Sequence, residues 1–167
     1  DNKAYTQGLE YHNGFLYENT GQYKSSTLRK TELKTGKVLQ KINLEDHYFG
    51  EGITIFNDKI HMLTWKAGKG FVYNLDTFER ESEFKYGRSK QGWGFTNDGS
   101  QLIKSDGTNK IWFLDKETQK EKRAIQAYSH DRALKQLNEL ELINGKLYAN
   151  YYQKPIIAII NPNNGVV

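Results

Sequence analysis

The sequence has 167 residues, enough for one domain with its own core, and its 37% of apolar residues includes no run near the roughly 18 residues of a membrane-spanning helix. An aromatic share of 13% argues against disorder, and the absence of cysteine excludes disulfides, thiol nucleophiles and cysteine metal sites. The net charge of +4 comes from scattered lysines without a dense basic block, so we expect no nucleic-acid partner.

Four segments share one pattern, in which a short apolar run is followed by a two-residue turn and a second alternating run. Their apolar anchors recur about every 44 residues and are Leu16, Ile60, Leu102 and Leu147. The turns are Asn-Gly, Asn-Asp, Asp-Gly and Asn-Gly, pairs that tolerate the positive φ of tight hairpins. Each segment is therefore predicted to begin with a β-hairpin.

Further strands are predicted behind these hairpins. The third strands cover residues 27–33, 70–75, 110–114 and 156–160, and the fourth strands cover residues 37–44 and 80–86. Four short strands in each repeat of about 40–45 residues are typical of a β-propeller blade, so the predicted fold class is all-β. A short helical excursion is predicted at residues 131–137, where Leu134 and Leu137 lie at helical spacing.

The last repeat is predicted to lack its fourth strand, because the chain ends at Val167 shortly after residues 163–165. Residues 1–167 are therefore expected to form one partial propeller domain, with three full blades and most of a fourth. Propellers usually close by pairing strands from the two chain ends, and an open ring leaves strand edges exposed. We therefore expect the sequence to be incomplete.

One position at the start of each innermost strand carries a different polar or aromatic residue in each repeat. These residues are Gln7, Glu51, Trp93 and Asn138. The loops that lead into the innermost strands of a propeller converge on one mouth of its channel, so these side chains are expected to share a cavity. Each one alone could simply bond the backbone where its strand begins, but a purely structural position would be expected to repeat its residue.

Glu51 is the candidate for acid–base chemistry. It lies between Gly50 and Gly52, which allow unusual backbone conformations and leave the carboxylate accessible, and it follows Phe49. Burial beside aromatic side chains is expected to raise its pKa, which suits a general acid or base near neutral pH. Trp65 and Tyr152 end second strands and are candidates for pocket walls, although core packing is the more common role of a lone Trp.

The four histidines show no metal-ligand spacing, and we expect no metal site or other cofactor.

Eight short motifs, in order, resemble the glutamine cyclotransferases, the plant and bacterial type of glutaminyl cyclase. They are residues 5–11 (YTQGLEY), 48–54 (YFGEGIT), 63–65 (LTW), 70–73 (GFVY), 92–96 (GWGFT), 105–107 (SDG), 137–141 (LNELE) and 148–150 (YAN). The similarity runs from Tyr5 to about Gly165, nearly the whole chain. It implies a five-bladed β-propeller.

The resemblance also implies an activity, the cyclisation of an N-terminal Gln of a peptide or protein to pyroglutamate with release of ammonia and without a catalytic metal. Glu51 would then shuttle the proton. Gln7 and Asn138 would hold the substrate's amine and amide, and the apolar walls would be Tyr5, Phe49, Trp65 and Trp93. A monomeric enzyme in the periplasm or outside the cell is expected.

Three departures from the family's pattern stand out. Tyr5 stands where the family has a Phe, which adds one hydroxyl. Tyr152 stands where the family has a Trp, and the smaller side chain is expected to pack less tightly in the pocket wall or to admit water there. The family also has a functional Lys near the end of its final blade, and no residue of this sequence can be given that role.

Two other functions remain open at this point. One is a propeller that binds peptides or partners in the same mouth without catalysis. The other is a glycosidase with two carboxylates roughly 5–10 Å apart, drawn from Glu10, Glu51, Glu139 and Glu141. Glu10 and Glu141 are predicted to lie inside first strands, away from the mouth, which argues against the glycosidase.

Overall fold

The computed structural model describes residues 4–167, and regular structure in that range consists of β-strands only. Three four-stranded antiparallel sheets follow one another along the chain, and we call them blades 1 to 3. Blade 1 contains β1 (Thr6–His12), β2 (Phe15–Thr20), β3 (Thr27–Glu32) and β4 (Val38–Asn43). Blade 2 contains β5 (Gly50–Phe56), β6 (Lys59–Thr64), β7 (Lys69–Asn74) and β8 (Arg80–Lys85). Blade 3 contains β9 (Phe95–Asn97), β10 (Gln101–Ser105), β11 (Lys110–Asp115) and β12 (Glu121–Gln126).

A small hairpin and a three-stranded sheet complete the described part. The hairpin pairs β13 (Tyr128–Ser129) with β14 (Arg132–Ala133). The sheet, blade 4, contains β15 (Leu137–Ile143), β16 (Lys146–Tyr151) and β17 (Ile157–Ile160). No helix within residues 4–167 is long and apolar enough to cross a membrane.

The blades are arranged around a common axis. The first strand of each blade contacts the first strand of the next, so that β1 lies beside β5, β5 beside β9 and β9 beside β15. This order confirms the all-β propeller with four blades. We call the end with the β1–β2, β5–β6, β9–β10 and β15–β16 turns the base, and the opposite end the mouth.

After the third strand of blade 3, one sequence prediction is wrong and one strand was missed. The helix expected at residues 131–137 is wrong, because β14 occupies Arg132–Ala133 and the flanking residues His130 and Gln136 have left-handed φ values of 53° and 62°. Two leucines at helical spacing are too short a pattern to outweigh such turns. The fourth strand of blade 3, β12, was not predicted, since its sequence EKRAIQ is mostly polar and lies at the outer edge.

Apolar packing between sheets holds the blades together. Tyr17 and Leu28 of blade 1 are buried against Ile53, Met62 and Phe71 of blade 2. A second cluster joins blades 3 and 4, and a third joins blades 2 and 3. Each blade therefore buries one face against the next, which fixes the relative positions of the mouth ends.

Glycines in the innermost strands allow neighbouring blades to approach closely. A Cβ on Gly8 would lie 2.5 Å from the backbone N of Ile53, and a Cβ on Gly52 would lie 2.5 Å from the backbone O of Trp93. A Cβ on Gly94 would lie 2.1 Å from the backbone O of Asn138. Gly8, Gly52 and Gly94 therefore allow the close contacts between blades 1 and 2, blades 2 and 3, and blades 3 and 4, respectively.

Candidate active site

A cavity of about 330 Å³ opens at the mouth, near the axis. The structure brings all eight sequence-predicted site residues together in its lining: Tyr5, Gln7, Phe49, Glu51, Trp65, Trp93, Asn138 and Tyr152. Gln22 and Gln136 complete the lining and were not predicted. Since these residues come from all four blades, the cavity depends on the propeller arrangement.

Irregular pairing at the start of three innermost strands places the polar side chains. The register between paired strands shifts between Thr6 and Gly8, between Gly50 and Ile53, and between Leu137 and Leu140. Gln7, Glu51 and Asn138 lie within these three shifts. Bulges of this kind commonly re-aim side chains at functional sites, which explains how each one points into the cavity.

The backbone of each central site residue is tied to the preceding blade. Asn19 Nδ2 donates a hydrogen bond to the carbonyl of Glu51 at 2.6 Å, and the amide of Gly52 donates to the carbonyl of Trp93 at 2.8 Å. Ser105 Oγ donates to the carbonyl of Asn138 at 2.8 Å. These bonds hold the mouth ends of blades 2, 3 and 4 in fixed positions.

Glu51 is the buried carboxyl of the cavity, with 5% of its surface exposed. Burial raises the pKa of Glu51 to about 9, in the direction expected from the sequence. At neutral pH the free protein therefore holds Glu51 protonated, as an acid that is ready to donate.

The two glycines beside Glu51 have a different purpose from the one predicted. Neither Gly50 nor Gly52 has a left-handed φ, so they provide no unusual backbone conformation. A Cβ on Gly50 would lie 2.6 Å from Asn19 Oδ1, just as one on Gly52 would meet Trp93. Both glycines make room for the neighbouring blades, which brings those blades close to Glu51.

Aromatic side chains form the walls. The ring centroids of Phe49 and Trp65 lie 5.4 Å apart on one side, and those of Trp93 and Tyr152 lie 5.4 Å apart on the other. Gln91 joins the two sides, because its Oε1 accepts hydrogen bonds from the indole nitrogens of Trp65 at 2.8 Å and Trp93 at 2.9 Å. The sequence analysis gave Gln91 no role, since nothing local shows that one amide oxygen meets two indoles.

Tyr5 and Tyr152, two of the departures from the family's pattern, meet at the mouth. A hydrogen bond with Tyr152, followed by burial, raises the pKa of the Tyr5 phenol. The hydroxyl added in blade 1 thus pairs with the one at the end of β16. The hydrogen bond between the two tyrosines therefore links blades 1 and 4 across the cavity.

The other three carboxylates considered for a glycosidase do not line the cavity in the described chain. Glu10 Oε2 accepts a hydrogen bond from the amide of Ile55 at 2.8 Å and so joins blades 1 and 2. Glu139 has a buried Oε2 without a partner among residues 4–167, and burial, followed by the proximity of the Glu51 carboxyl group, raises its pKa well above the usual range. With Glu51 as the one carboxyl in the lining, the glycosidase is not supported.

Metal ligands are not grouped in the described chain. Within residues 4–167, no three or more His, Asp or Glu side chains are arranged to hold a metal ion.

The chain is similar to known proteins of one family. The family model described as glutamine cyclotransferase matches residues 1–167. The glutaminyl-peptide cyclotransferase of Arabidopsis thaliana is 39% identical over 166 residues, covering 99% of this chain and 52% of the relative. The chain therefore spans about half the length of this curated relative.

Solved structures give the same result. The glutaminyl cyclase of Myxococcus xanthus is similar with a TM-score of 0.89 and 30% identity, covering 98% of this chain and 68% of that one. BamB of Moraxella catarrhalis is similar in fold alone, with a TM-score of 0.57, 18% identity, and coverage of 85% of this chain and 39% of that one. The chain belongs to the glutamine cyclotransferase family.

Proposed function

We propose that this protein is a glutaminyl-peptide cyclotransferase that converts the N-terminal Gln of peptides and proteins to pyroglutamate without a metal. The observation that carries the proposal is the buried Glu51 in an aromatic cavity that also contains the amides of Gln7 and Asn138. We further propose that it acts as a monomer in the periplasm or outside the cell.

The cavity suits the substrate's two reacting groups. Apolar walls accommodate the methylene groups of the Gln side chain, while amide groups satisfy its polar ends. Gln7 and Asn138 would hold the α-amine and the side-chain amide, and an amide N–H would donate to the oxyanion that develops on the amide oxygen. Since amine and amide belong to one molecule, holding them in near-attack geometry supplies much of the rate.

Glu51 would move one proton during the reaction. The neutral α-amine attacks the amide carbon, and the Glu51 carboxyl donates its proton to the departing nitrogen, which leaves as ammonia. The resulting carboxylate then accepts a proton from the newly bonded amine nitrogen, and Glu51 is protonated again. Once it is bonded to the carbonyl carbon, that nitrogen is more acidic than a carboxyl group with a pKa of about 9, so the return of the proton to Glu51 is favourable.

A fifth blade is also part of the proposal. Blade 1 has exposed apolar side chains on the face away from blade 2, with Leu9 48% and Tyr11 59% exposed. Blade 4 has them on the face away from blade 3, at Ile143, Ile157 and Ile159. A further sheet between blades 4 and 1 would cover both faces and close the ring.

The proposal is tested by measuring ammonia release from a short peptide with N-terminal Gln, with the product identified by mass and a chelator present throughout. We expect release by the protein and a loss of about a thousandfold in Glu51→Gln, since a positioned acid or base contributes about 10²–10⁴ in rate. Glu79→Gln is the matched control, because Glu79 is exposed near the base.

Two results would contradict the proposal. Release that stops when the chelator is added would overturn the metal-free mechanism. Peptide binding without release, unchanged in Glu51→Gln, would instead identify a binding propeller.

A further inference from the structure

A second groove of about 390 Å³ lies at the mouth beside the cavity. Four cationic side chains from three separate segments of the chain line it: Arg88, Lys90, Lys110 and Lys135. All four residues are exposed. The sequence analysis missed this group because its members are spread over 48 positions and meet only in the folded chain.

These cations have no acidic partner within residues 4–167. Asp106 also lines the groove, but its Oδ2 accepts from the indole of Trp112 at 2.8 Å and none of the four cations pairs with it. Arg88 and Lys110 lie over the Trp112 ring, 5.2 Å and 5.3 Å from its centroid. Four cations against one carboxylate leave the groove with an excess of positive charge.

The groove adjoins the cavity wall through Gln91, which lines the groove and accepts hydrogen bonds from the indoles of Trp65 and Trp93 in that wall. Lys135 precedes Gln136, a residue of the cavity lining. Another groove shares Asn138 and Tyr152 with the cavity and runs along blade 4 past Asn150 and Ile157, where our proposal places the fifth sheet. The cationic groove therefore offers a path for the residues that follow an N-terminal Gln bound in the cavity.

We propose that the cationic groove selects peptides with acidic residues directly after the N-terminal Gln. This inference rests on the proposed function for the placement of the Gln. Exposed charges at the rim of a site mainly change association and its salt dependence, and single pairs contribute little. Four cations together are expected to favour an acidic peptide over a neutral one by about tenfold in kcat/KM at low salt.

The test compares three peptides that differ only in the two residues after Gln, with Ala-Ala, Asp-Glu or Lys-Lys there. The order of kcat/KM is expected to be acidic, neutral, basic, mainly through KM, and to flatten at about 0.5 M salt because the charges are screened. In the double variant Lys90→Glu and Lys110→Glu the four positions carry two positive and two negative charges, so the preference for the acidic peptide should disappear. Lys34→Glu is the matched control, since Lys34 is exposed at the base.

Binding of the same peptides, labelled for fluorescence anisotropy, separates the two proposals. Equal kcat/KM and equal binding for all three peptides would overturn the groove's role and leave the cyclase activity intact. No ammonia release, with tighter binding of the acidic peptide, would overturn the activity and support the groove. Inhibition by a single-stranded RNA without any preference among peptides would assign the cations to nucleic acid and overturn the inference.

Discussion

The base and the mouth of the propeller use equivalent positions of the repeat in different ways. At the base, Asn13–Gly14, Asn57–Asp58 and Asn144–Gly145 all have positive φ at both turn residues, between 47° and 90°. At the mouth, the innermost strands begin with an amide, a carboxyl, an indole and another amide. The base repeats its residues because the backbone of a tight hairpin requires them. The residues at the mouth can differ because hydrogen bonds from the preceding blade hold the backbone there. Their side chains are therefore free to take part in chemistry.

The largest loss of stability is expected at Gly52, where the backbones of two blades lie close together at the mouth. Gly52→Ala places a Cβ 2.5 Å from the carbonyl of Trp93, at the hydrogen bond that joins blades 2 and 3. Because both groups are backbone, the blades must separate, and we expect a loss of about 3 kcal/mol or more in the free energy of unfolding. Urea unfolding measures it.

Unchanged stability in Gly52→Ala would show that blades 2 and 3 are not held this tightly, and that the mouth is more adaptable than its contacts indicate. Gly68→Ala is a useful control. Gly68 has a left-handed φ of 70° but no atom within 4 Å of a Cβ, so it reports φ strain without a clash.

The second prediction concerns the way in which the free energy of unfolding depends on pH. The pKa of Glu51 is about 9 in the folded protein and about 4.5 in the unfolded chain. The folded state therefore keeps a proton that the unfolded chain has lost. Stability is full below pH about 4.5 and is lost as the pH rises through about 9.

Glu51→Gln removes this loss. The variant is expected to match the wild type at pH 4 and to exceed it by about 2 kcal/mol at pH 6. Lys104, whose pKa burial lowers to about 7, has the opposite sign, but it is present in both proteins and cancels in the difference. Equal unfolding curves at pH 6 would show that Glu51 is solvated, and would remove the reason for its role as an acid.

The third prediction concerns Gln91, whose side chain connects the two aromatic walls. Gln91→Leu leaves the indole N–H groups of Trp65 and Trp93 without their shared acceptor. We expect a loss of about tenfold in kcat/KM, chiefly in KM, because the walls shift while Glu51 stays in place. Gln91→Glu retains an acceptor oxygen and should recover most of the loss. An equal defect in both variants would mean that the amide contacts substrate itself.

The same contrast explains what the sequence could predict. The base turns and the blades were predictable because hairpin signals and strand alternation are local. The mouth residues Gln7, Glu51 and Asn138 could be placed because a repeat puts equivalent positions at one end. Gln91, β12 and the cationic groove were missed, since each depends on contacts between segments that are distant in sequence. The helix predicted at residues 131–137 failed for a related reason, because the turn at Gln136 is held by a bond from its amide to the carbonyl of Gly107.

The smallest effect is expected at the base. Gly14 has a φ of 90° and no atom within 4 Å of a Cβ, so Gly14→Ala meets only backbone strain. We expect a loss of about 1 kcal/mol in the free energy of unfolding and unchanged ammonia release. Gly14→Asn should lose less than Gly14→Ala, because Asn tolerates a left-handed conformation better than Ala does. A large fall in activity without a matching loss of stability would show that the base turn is coupled to the mouth. The base could then no longer be regarded as purely structural and the mouth as the only part that serves the chemistry.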